Sequence, residues 1–359
     1  MVTCKRKRLA NLLAKDYMYL VLFLLTIIMA QRILTWLKPT SDQIHIGNYF
    51  GAVKPLLDLI ARDSQNEGFF MIANMHALTT LHDPVVLKKN TIDFCRLYIA
   101  LIRHYGLSMD QISIYNHALI PAHAQLSWTL SCVTHMGFME RMHAYKDAIA
   151  KGKANEVSVG TFCYPILQAA DIVLYDADIV PVGQDQKQHV EFCRDIAERF
   201  NKVFGNTLVV PEVYIEEWVS VVPGIDGRKM SKSYNNYLGI LDDEAILRKK
   251  IKQISTASLP VEASKNPDEC TVYLLTKLFL TDEEDAQLRE RYLAWGMGYG
   301  QAKDYLAEKL LAFTSSIQTI YHDLTDEEVI AIIDRGTQRA SAIATAKIAQ
   351  INEKVGFVL

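Results

Sequence analysis

Two short segments, far apart along the chain, carry residue types that suit phosphate chemistry. The first is His45-Ile46-Gly47-Asn48, and the second is Lys229-Met230-Ser231-Lys232-Ser233. A glycine lets the backbone approach a phosphate with no Cβ in the way, and lysines supply compact positive charge for a polyphosphate. We therefore interpret the two segments as parts of one nucleotide-binding site.

The segment around Gly47 is expected to open a helix. Free backbone N–H groups at a helix N-terminus, together with the helix dipole, favour an anion there. The side chains of His45 and Asn48 can add donors. For this segment alone, an ordinary strand–turn–helix connection with a convenient glycine is the alternative.

The second segment has the composition of a mobile basic loop. Gly224 and Gly227 precede it, and Lys229 and Lys232 carry its charge. Taken alone, this composition also fits a solvated loop without a ligand. The presence of both segments in one chain, separated by the length of an α/β domain, favours the shared site.

The residues between the two segments alternate between apolar runs and helical periodicity. Strands are predicted at residues 32–37, 69–73, 112–115 and 178–182, and helices at residues 88–105, 124–135 and 188–200. Strands that alternate with helices indicate a parallel sheet of the Rossmann type. Such sheets bind ligands at the carboxyl ends of their strands.

The pattern changes after residue 238. Thr281 and Thr325 are each followed three residues later by a glutamate, which is typical of a capping box that opens a helix. From about residue 242 onward the chain is predicted to be wholly helical. The predicted organisation is α/β: a Rossmann-type parallel-sheet catalytic domain at residues 31–238, then an all-helical C-terminal domain at residues 239–359. The last helix of the C-terminal domain can pack back on the catalytic domain.

The bulk composition is that of a globular protein. The chain has 359 residues, 50% of them hydrophobic and 22% charged, which fits one large or two medium domains. Its net charge of −3 restricts nucleic-acid binding to local basic patches. The six cysteines are scattered without a CxxC pair, so reduced thiols in a cytosolic protein are expected and no metal site is predicted.

Residues 1–30 form an atypical extension. A basic run at residues 5–8 precedes an apolar run at residues 17–30, which is shorter than the ~20 residues that a helix needs to cross a bilayer. A signal-peptide core or a membrane anchor is one interpretation. The interpretation that we favour is a true start at Met29, with no membrane association.

The chain resembles the class I aminoacyl-tRNA synthetases and, in detail, the tryptophanyl-tRNA synthetase family. The resemblance covers essentially residues 32–359 and rests on the two segments above and on further blocks. Those blocks are Gly47-Asn48-Tyr49-Phe50-Gly51-Ala52, Arg141-Met142-x-x-Tyr145-Lys146, Tyr164-Pro165 with Ala169-Ala170-Asp171, Pro181-Val182-Gly183-Gln184-Asp185-Gln186-Lys187-Gln188-His189 and Val355-Gly356-Phe357.

The resemblance implies a role for each matching residue. Asp171 would accept the indole N–H of tryptophan. The other implied pocket residues are Tyr164, Gln168, His76, Val180, Val182 and Gln186, and Gln168 stands where many relatives carry methionine. The residues implied in ATP binding are Lys38, Gly47, Asn48, Gly183, Asp185, Met230 and Ser231. The implied catalytic residues are Lys229, Lys232, Lys146 and His45.

The implied reaction is activation of L-tryptophan by ATP to tryptophanyl-adenylate, followed by transfer to tRNA(Trp). The substrate carboxylate is already ionised at neutral pH, so catalysis consists of positioning and charge stabilisation. ATP and Mg²⁺ are the implied cofactors, and a cytoplasmic homodimer is implied. A basic cluster at residues 248–252 either contacts tRNA or is a solvated helix face.

Trp36 departs from the family pattern, which has glycine at this position. The large side chain is expected to fill or distort the cleft. One alternative is therefore a catalytically impaired paralogue that still binds tRNA. Tyrosyl-tRNA synthetase, which has the same fold, is a second alternative, and a membrane-anchored interaction protein that uses residues 17–30 is a third.

Overall fold

The computed structural model describes residues 30–39, 44–150, 157–183, 186–215, 222–294 and 296–358. Arg32–Leu359 form one compact unit, and of the residues that precede it only 30 and 31 are described. The apolar run at residues 17–30 thus lies outside the described residues except for its last one. Within the described part of the chain, no helix is long and apolar enough to cross a bilayer.

A five-stranded parallel sheet forms the centre of the larger unit. Its strands are β1 (Arg32–Leu37), β2 (Glu67–Ile72), β3 (Ile112–Asn116), β4 (Ile179–Pro181) and β5 (Glu212–Tyr214). Their order is β3-β2-β1-β4-β5, so the two halves of the sheet grow in opposite directions from β1. Four of these strands were predicted, and the predicted fold class is confirmed. The short strand β5 was missed.

Helices cover both faces of the sheet. The helices of this part are α1 (Ile46–Asn48), α2 (Lys54–Ala61), α3 (Asn74–Ala77), α4 (Pro84–Tyr105), α5 (Ala122–Val133), α6 (Met136–Met139), α7 (His143–Ala150), α8 (Val159–Val173) and α9 (Lys187–Phe204). Successive strand residues point to opposite faces. Phe70 and Ile72 therefore pack in one core cluster with residues of α2 and α4, whereas Phe69 and Met71 pack in a second cluster with residues of α5, α8 and α9.

The C-terminal part is helical. It contains α10 (Glu244–Lys252), α11 (Thr271–Lys277), α12 (Asp282–Leu293), α13 (Tyr299–Asp323) and α14 (Asp326–Val355). The predicted N-caps are present, because Thr281 Oγ1 accepts the N–H of Glu284 at 3.3 Å and Thr325 Oγ1 accepts the N–H of Glu328 at 3.2 Å. Residues 253–266 are not helical, so the prediction of a wholly helical region was too broad.

The last helix, α14, lies against β3 at the edge of the sheet. Gly336 allows this approach, because a Cβ there would lie 2.0 Å from the carbonyl oxygen of Ile114. Thr337 Oγ1 accepts the N–H of Asn116 at 3.1 Å, which occupies a donor of the edge strand. The predicted boundary at residue 238 separates no compact unit from another in this structure, and it stays a prediction.

Candidate active site

A cavity of about 780 Å³ lies at the carboxyl ends of β1, β2 and β4. This volume is within the range of about 300–1,000 Å³ that small-molecule sites occupy. The position is the switch point of the sheet, where the strand order reverses and open α/β sheets bind ligands. Both segments that the sequence singled out contribute to its lining, including His45, Gly47, Lys229 and Met230.

The two segments are tied together through their backbones. The N–H of Ile46 donates to the carbonyl oxygen of Leu238 at 3.0 Å, and the N–H of Ile240 donates to the carbonyl oxygen of Ile44 at 3.1 Å. The chain just after the basic loop is therefore paired with the chain just before α1, and one cavity wall contains both segments.

Gly47 is the point of closest approach between the segments. A Cβ built there would lie 2.9 Å from His45 Nδ1 and 3.4 Å from the Cβ of Met230. A side chain at this position would have to displace the imidazole of His45. The absence of a side chain thus allows the start of α1 to lie directly against the basic loop.

His45 is the N-cap of α1 and is neutral at pH 7. Its Nδ1 accepts the N–H of Asn48 at 3.2 Å, so the ring proton is on Nε2. Burial, and then the positive charges of Lys232 and Lys229, lower its pKa to about 4. His45 can therefore offer a neutral N–H donor, and both lysines are close enough to influence it.

The lysines differ in their relation to the cavity. Lys229 lines it, and so does Lys38, whose Nζ donates to Thr79 Oγ1 at 2.7 Å and whose pKa is lowered by burial. Lys232 begins a short 3₁₀ turn and Lys146 is exposed on α7. Neither of these two is among the described residues that line the cavity.

A buried carboxylate cluster lies beside the cavity. Asp171 Oδ2 is 2.7 Å from His76 Nε2, and Asp171 Oδ1 is 2.7 Å from His123 Nδ1. His117 Nε2 is 3.0 Å from Oδ1, although the angle is not that of a hydrogen bond. His123 Nε2 lies 2.8 Å from the hydroxyl of Tyr175.

The positions of the protons in this cluster follow from the ionised state of Asp171. Burial opposes its ionisation, but the contacts with His117, His123 and His76 outweigh burial and hold the pKa of the carboxyl well below its usual range. An ionised carboxylate only accepts hydrogen bonds, so His76 carries its proton on Nε2 and His123 on Nδ1. With His123 neutral, the hydroxyl of Tyr175 donates to His123 Nε2 across the 2.8 Å between them.

His76, His117 and Asp171 have the ligand types of a metal site and lie close together. However, the 2.7 Å between His76 Nε2 and Asp171 Oδ2 is a hydrogen-bond distance. An ion with bonds of about 2.0–2.2 Å to tetrahedral ligands needs those ligand atoms farther apart. The arrangement is therefore that of a hydrogen-bonded cluster.

Most of the other predicted site residues reach the cavity. Those that line it are Asn48, His76, Tyr164, Gln168, Val182, Gly183, Gln186, Met230 and Ser231. Val180 is fully buried in the core and Asp171 is fully buried beside the cavity, and neither lines it. Asp185 lies outside the described residues.

Trp36 has two environments. It is half-buried against the core cluster that contains residues of α8 and α9, and it also forms part of the cavity wall. The cavity has a volume of about 780 Å³ with Trp36 in its wall, so the indole does not fill the cavity. Its effect on ligand binding stays a prediction.

The sequence analysis does not name His117, His123 or Tyr175, which the structure places around Asp171. One signal was available for His117, because it directly follows β3, just as His76 closely follows β2. The carboxyl ends of neighbouring parallel strands meet at one edge of the sheet. No periodicity in the sequence indicates that His123 would reach Asp171.

Comparisons with known proteins identify the family. The family described as tRNA synthetases class I (W and Y) matches residues 30–315. The tryptophan–tRNA ligase of Campylobacter jejuni (strain RM1221) is 40% identical over 328 residues, which cover 91% of this chain and 100% of the relative. The chain belongs to the tryptophan–tRNA ligase family.

Further members of the tryptophan–tRNA ligase family agree with this assignment. The ligase of Fusobacterium nucleatum is 39% identical over 331 residues, which cover 91% of this chain and 98% of the relative. The crystal structure of the Campylobacter jejuni enzyme, complexed with ADP and tryptophan, is 39% identical with a TM-score of 0.79, over 91% of this chain and 100% of that one.

The tyrosyl alternative shares the fold but not the sequence. A tyrosyl-tRNA synthetase from Archaeoglobus fulgidus aligns with a TM-score of 0.62 over 81% of this chain and 90% of that one, at 19% identity. Such a likeness indicates a common fold alone. The prediction of the tryptophan family over the tyrosine family is confirmed.

Proposed function

We propose that the chain activates L-tryptophan with ATP, releasing pyrophosphate and forming tryptophanyl-adenylate, and then transfers the tryptophanyl group to tRNA(Trp). Membership of the tryptophan–tRNA ligase family supports this reaction. At the site, the main support is the packing of Gly47 against Met230, because this contact brings the two segments with residues suited to phosphate binding into one cavity. An enzyme that acts on tRNA is expected in the cytoplasm.

The triphosphate lies between the start of α1 and the basic loop. The neutral Nε2–H of His45 and the backbone at Gly47 act from one side, and Lys229 acts from the other. A carboxylate oxygen of tryptophan bonds to the α-phosphorus as the bond to pyrophosphate breaks. Negative charge then moves onto the leaving group, where a cation and fixed N–H donors stabilise it most.

Lys232 and Lys146 act only after a rearrangement. Both lie off the described lining of the cavity, so their proposed contact with ATP needs movement of the basic loop and of α7. Closure of loops over bound substrate is a common way to complete a catalytic site. Of the other predicted ATP-binding residues, Lys38, Asn48, Gly183, Met230 and Ser231 line the cavity, and Asp185 lies outside the described residues.

The donor set of the cavity does not fit a protein-bound Mg²⁺. Its described lining contains lysines, two histidines, amides and hydroxyls but no carboxylate. Protein sites for Mg²⁺ with nucleotides use one or two carboxylates together with substrate phosphates. The ion therefore belongs to the nucleotide as a substrate complex, and the stabilisation described above depends on Lys229, His45 and the backbone.

The amino-acid end of the cavity is formed by α3, α8 and the residues after β4. Tyr164, Gln168, His76, Val182 and Gln186 form its wall. The hydroxyl of Tyr164 is held 2.8 Å from Nε2 of His189. A wall of an aromatic ring, a valine and a few polar groups suits an indole with one N–H.

The basic cluster at α10 supports a tRNA contact only in part. Arg248 pairs with Glu244 at 2.7 Å, and Lys250 pairs with Asp242 at 2.7 Å. Lys249 and Lys252 are exposed. Two exposed lysines can neutralise phosphates of the tRNA backbone, and salt then weakens binding.

An apolar stripe on α5 supports a homodimer. Trp128 is 70% exposed, and Ala124 and Cys132 lie one turn to either side on the same exposed face. Exposed large aromatic residues of this kind mark protein interfaces.

In sedimentation experiments, Trp128→Glu is expected to give monomers. Val85→Glu, at another exposed apolar residue, is expected to leave the dimer intact. A monomeric unmodified chain would contradict the dimer.

The formation of tryptophanyl-adenylate is tested by the exchange of labelled pyrophosphate into ATP, measured with each amino acid in turn. Exchange that depends on tryptophan is expected. Exchange that depends on tyrosine would support the rival synthetase, and tRNA binding without any exchange would support an impaired paralogue.

A further inference from the structure

We propose that Asn236 is a positioning residue for Lys229, and that it divides the basic loop into a fixed half and a movable half. The fixed half, residues 229–231, keeps Lys229 in the cavity wall. The movable half, residues 232–235, carries Lys232. The proposal rests on the proposed function and deepens it, because it names the group that holds the cation ready for the leaving pyrophosphate.

Asn236 is a buried polar residue directly behind the basic loop. Its Nδ2 donates to the carbonyl oxygen of Lys229 at 3.1 Å and to Asp226 Oδ1 at 2.7 Å. Its Oδ1 accepts the N–H of Ser231 at 2.8 Å. Both donors and the acceptor of the amide are therefore used, and removing the amide would leave polar groups of the loop backbone unpaired.

These bonds fix the backbone on both sides of Met230. The peptide group that joins Lys229 to Met230 is held at both ends. Its carbonyl oxygen accepts from Asn236, and its N–H donates to the carbonyl oxygen of Val222 at 2.9 Å. The next peptide group is held through the N–H of Ser231. Because a planar peptide leaves only φ and ψ free, fixing both planes also fixes the direction in which Lys229 leaves the backbone.

Gly224 allows Asn236 to lie in this position. A Cβ at Gly224 would lie 2.3 Å from Nδ2 of Asn236 and 2.6 Å from its carbonyl oxygen. The N–H of Ile225 donates to the same carbonyl oxygen at 2.9 Å. The chain before the basic loop and the residue after it are therefore packed together, and this contact supports the fixed half.

The second half of the loop is bonded within itself. The N–H of Asn235 donates to the carbonyl oxygen of Lys232 at 2.9 Å, and this bond ends a short 3₁₀ turn. The ammonium group of Lys232 lies 5.9 Å from the centre of the Tyr237 ring, which is within the range of a cation–π contact. Residues 232–235 can move toward the cavity as one turn, with Lys232, while the bonds of Asn236 stay intact.

Asn236→Ala removes the amide and tests the positioning role. It is expected to lower kcat/KM for ATP in tryptophan-dependent pyrophosphate exchange by about 10- to 100-fold, because Lys229 is no longer held in place. The KM for tryptophan should change by less than about twofold, since the fixed half lies at the nucleotide end. Rates are expressed per active site, from the burst of adenylate formation. A kcat/KM for ATP within about twofold of that of the unmodified chain would overturn the proposal.

Asn201→Ala is the matched control. The side chain of Asn201 also bridges a loop, because its Nδ2 donates to the carbonyl oxygen of Leu208 at 2.8 Å and its Oδ1 accepts the N–H of Thr207 at 2.9 Å. It lies near the end of α9, away from the described lining of the cavity. This variant is expected to lower the melting temperature and to keep kcat/KM for ATP. An equal loss of kcat/KM for ATP in the two variants would overturn the positioning role.

An exchange of donor and acceptor tests the contact with Asp226, and it replaces Asn236→Ala if that variant does not fold. Asn236→Asp alone sets two carboxylates against each other across a contact of 2.7 Å. Adding Asp226→Asn restores one donor and one acceptor there, so about tenfold of the lost kcat/KM for ATP is expected to return. A double variant no more active than Asn236→Asp would overturn the proposal.

Failure of the proposed function is separate, because the unmodified chain would then show no exchange with tryptophan. The position of Lys229 can still be followed through His45, because burial, and then the charges of Lys232 and Lys229, lower the pKa of His45 to about 4. Asn236→Ala is expected to raise this pKa in an NMR titration, since Lys229 moves away. An unchanged pKa of His45 would overturn the proposal whether or not the chain is active.

Discussion

Gly47 and Met230 lie against each other across the start of the cavity, and a Cβ at Gly47 would be 3.4 Å from the Cβ of Met230. This relationship joins the two segments whose residue types suit phosphate. It also brings Lys229 and Lys232 close enough to His45 to lower its pKa. One cavity with a glycine, a neutral imidazole and a lysine in its wall is thereby formed from distant parts of the chain.

Gly47→Ala is expected to raise the KM for ATP and to lower the exchange rate. The new Cβ would lie 2.9 Å from His45 Nδ1, so the imidazole must leave its capping position. A loss of roughly 10- to 100-fold in kcat/KM corresponds to a lost interaction of about 1.4–2.8 kcal/mol. Gly300→Ala is the control, because a Cβ there meets no atom within 4 Å. Equal activity of the two variants would contradict the close-approach argument.

Lys229→Met is expected to lower kcat for tryptophan-dependent exchange by about 10²–10³-fold, because charge on the leaving pyrophosphate loses its cation. The KM for tryptophan should change little, since Lys229 lies at the nucleotide end. Steady-state exchange kinetics measure both values. Lys202→Met, at an exposed lysine of α9, removes the same charge away from the cavity and should retain activity. A kcat within twofold of the unmodified chain in Lys229→Met would contradict the assignment.

His45 is expected to remain neutral until the pH falls to about 4. In NMR spectra of the protein with isotope-labelled histidines, the chemical shift of the His45 ring should not change between pH 8 and 5.5. Removing the positive charge in Lys229→Met or Lys232→Met should raise the midpoint. Because the folded-state pKa lies below the ~6.5 of a free imidazole, this group reduces the free energy of unfolding as the pH falls from about 6.5 toward 4. A midpoint near 6.5 would contradict the burial and charge argument.

Trp36→Gly is expected to raise the rate of adenylate formation and to lower the melting temperature. The first effect follows from enlarging the cavity, whose wall includes Trp36, and the second from lost packing against the core. Burst kinetics of adenylate formation and thermal unfolding measure the two effects separately. If the folded variant forms the adenylate at an unchanged or lower rate than the unmodified chain, the steric argument is contradicted.

The elements that position the site could be predicted from local patterns. The bounds of β1 agree with the structure at both ends, and β2, β3 and β4 differ by few residues. These strands are apolar runs bounded by turn residues, which is a short-range signal. β5 has only three residues, Glu212–Tyr214, and carries too little of that signal.

The parts of the site that depend on long-range contacts could not be predicted. His123 is 48 residues from Asp171, and no spacing rule links them. The roles of Lys146 and Asp171 came from a resemblance to relatives, which gives positions along the chain but not exposure. The structure adds that Lys146 is exposed away from the described lining and that Asp171 is buried behind it.

A crystal structure of this chain with a non-hydrolysable ATP analogue tests the shared nucleotide site most directly. We expect a triphosphate between the backbone of Gly47 and the ammonium group of Lys229, with His45 Nε2 donating to a phosphate oxygen. A nucleotide bound outside this cavity, or phosphates that contact neither Gly47 nor Lys229, would contradict it.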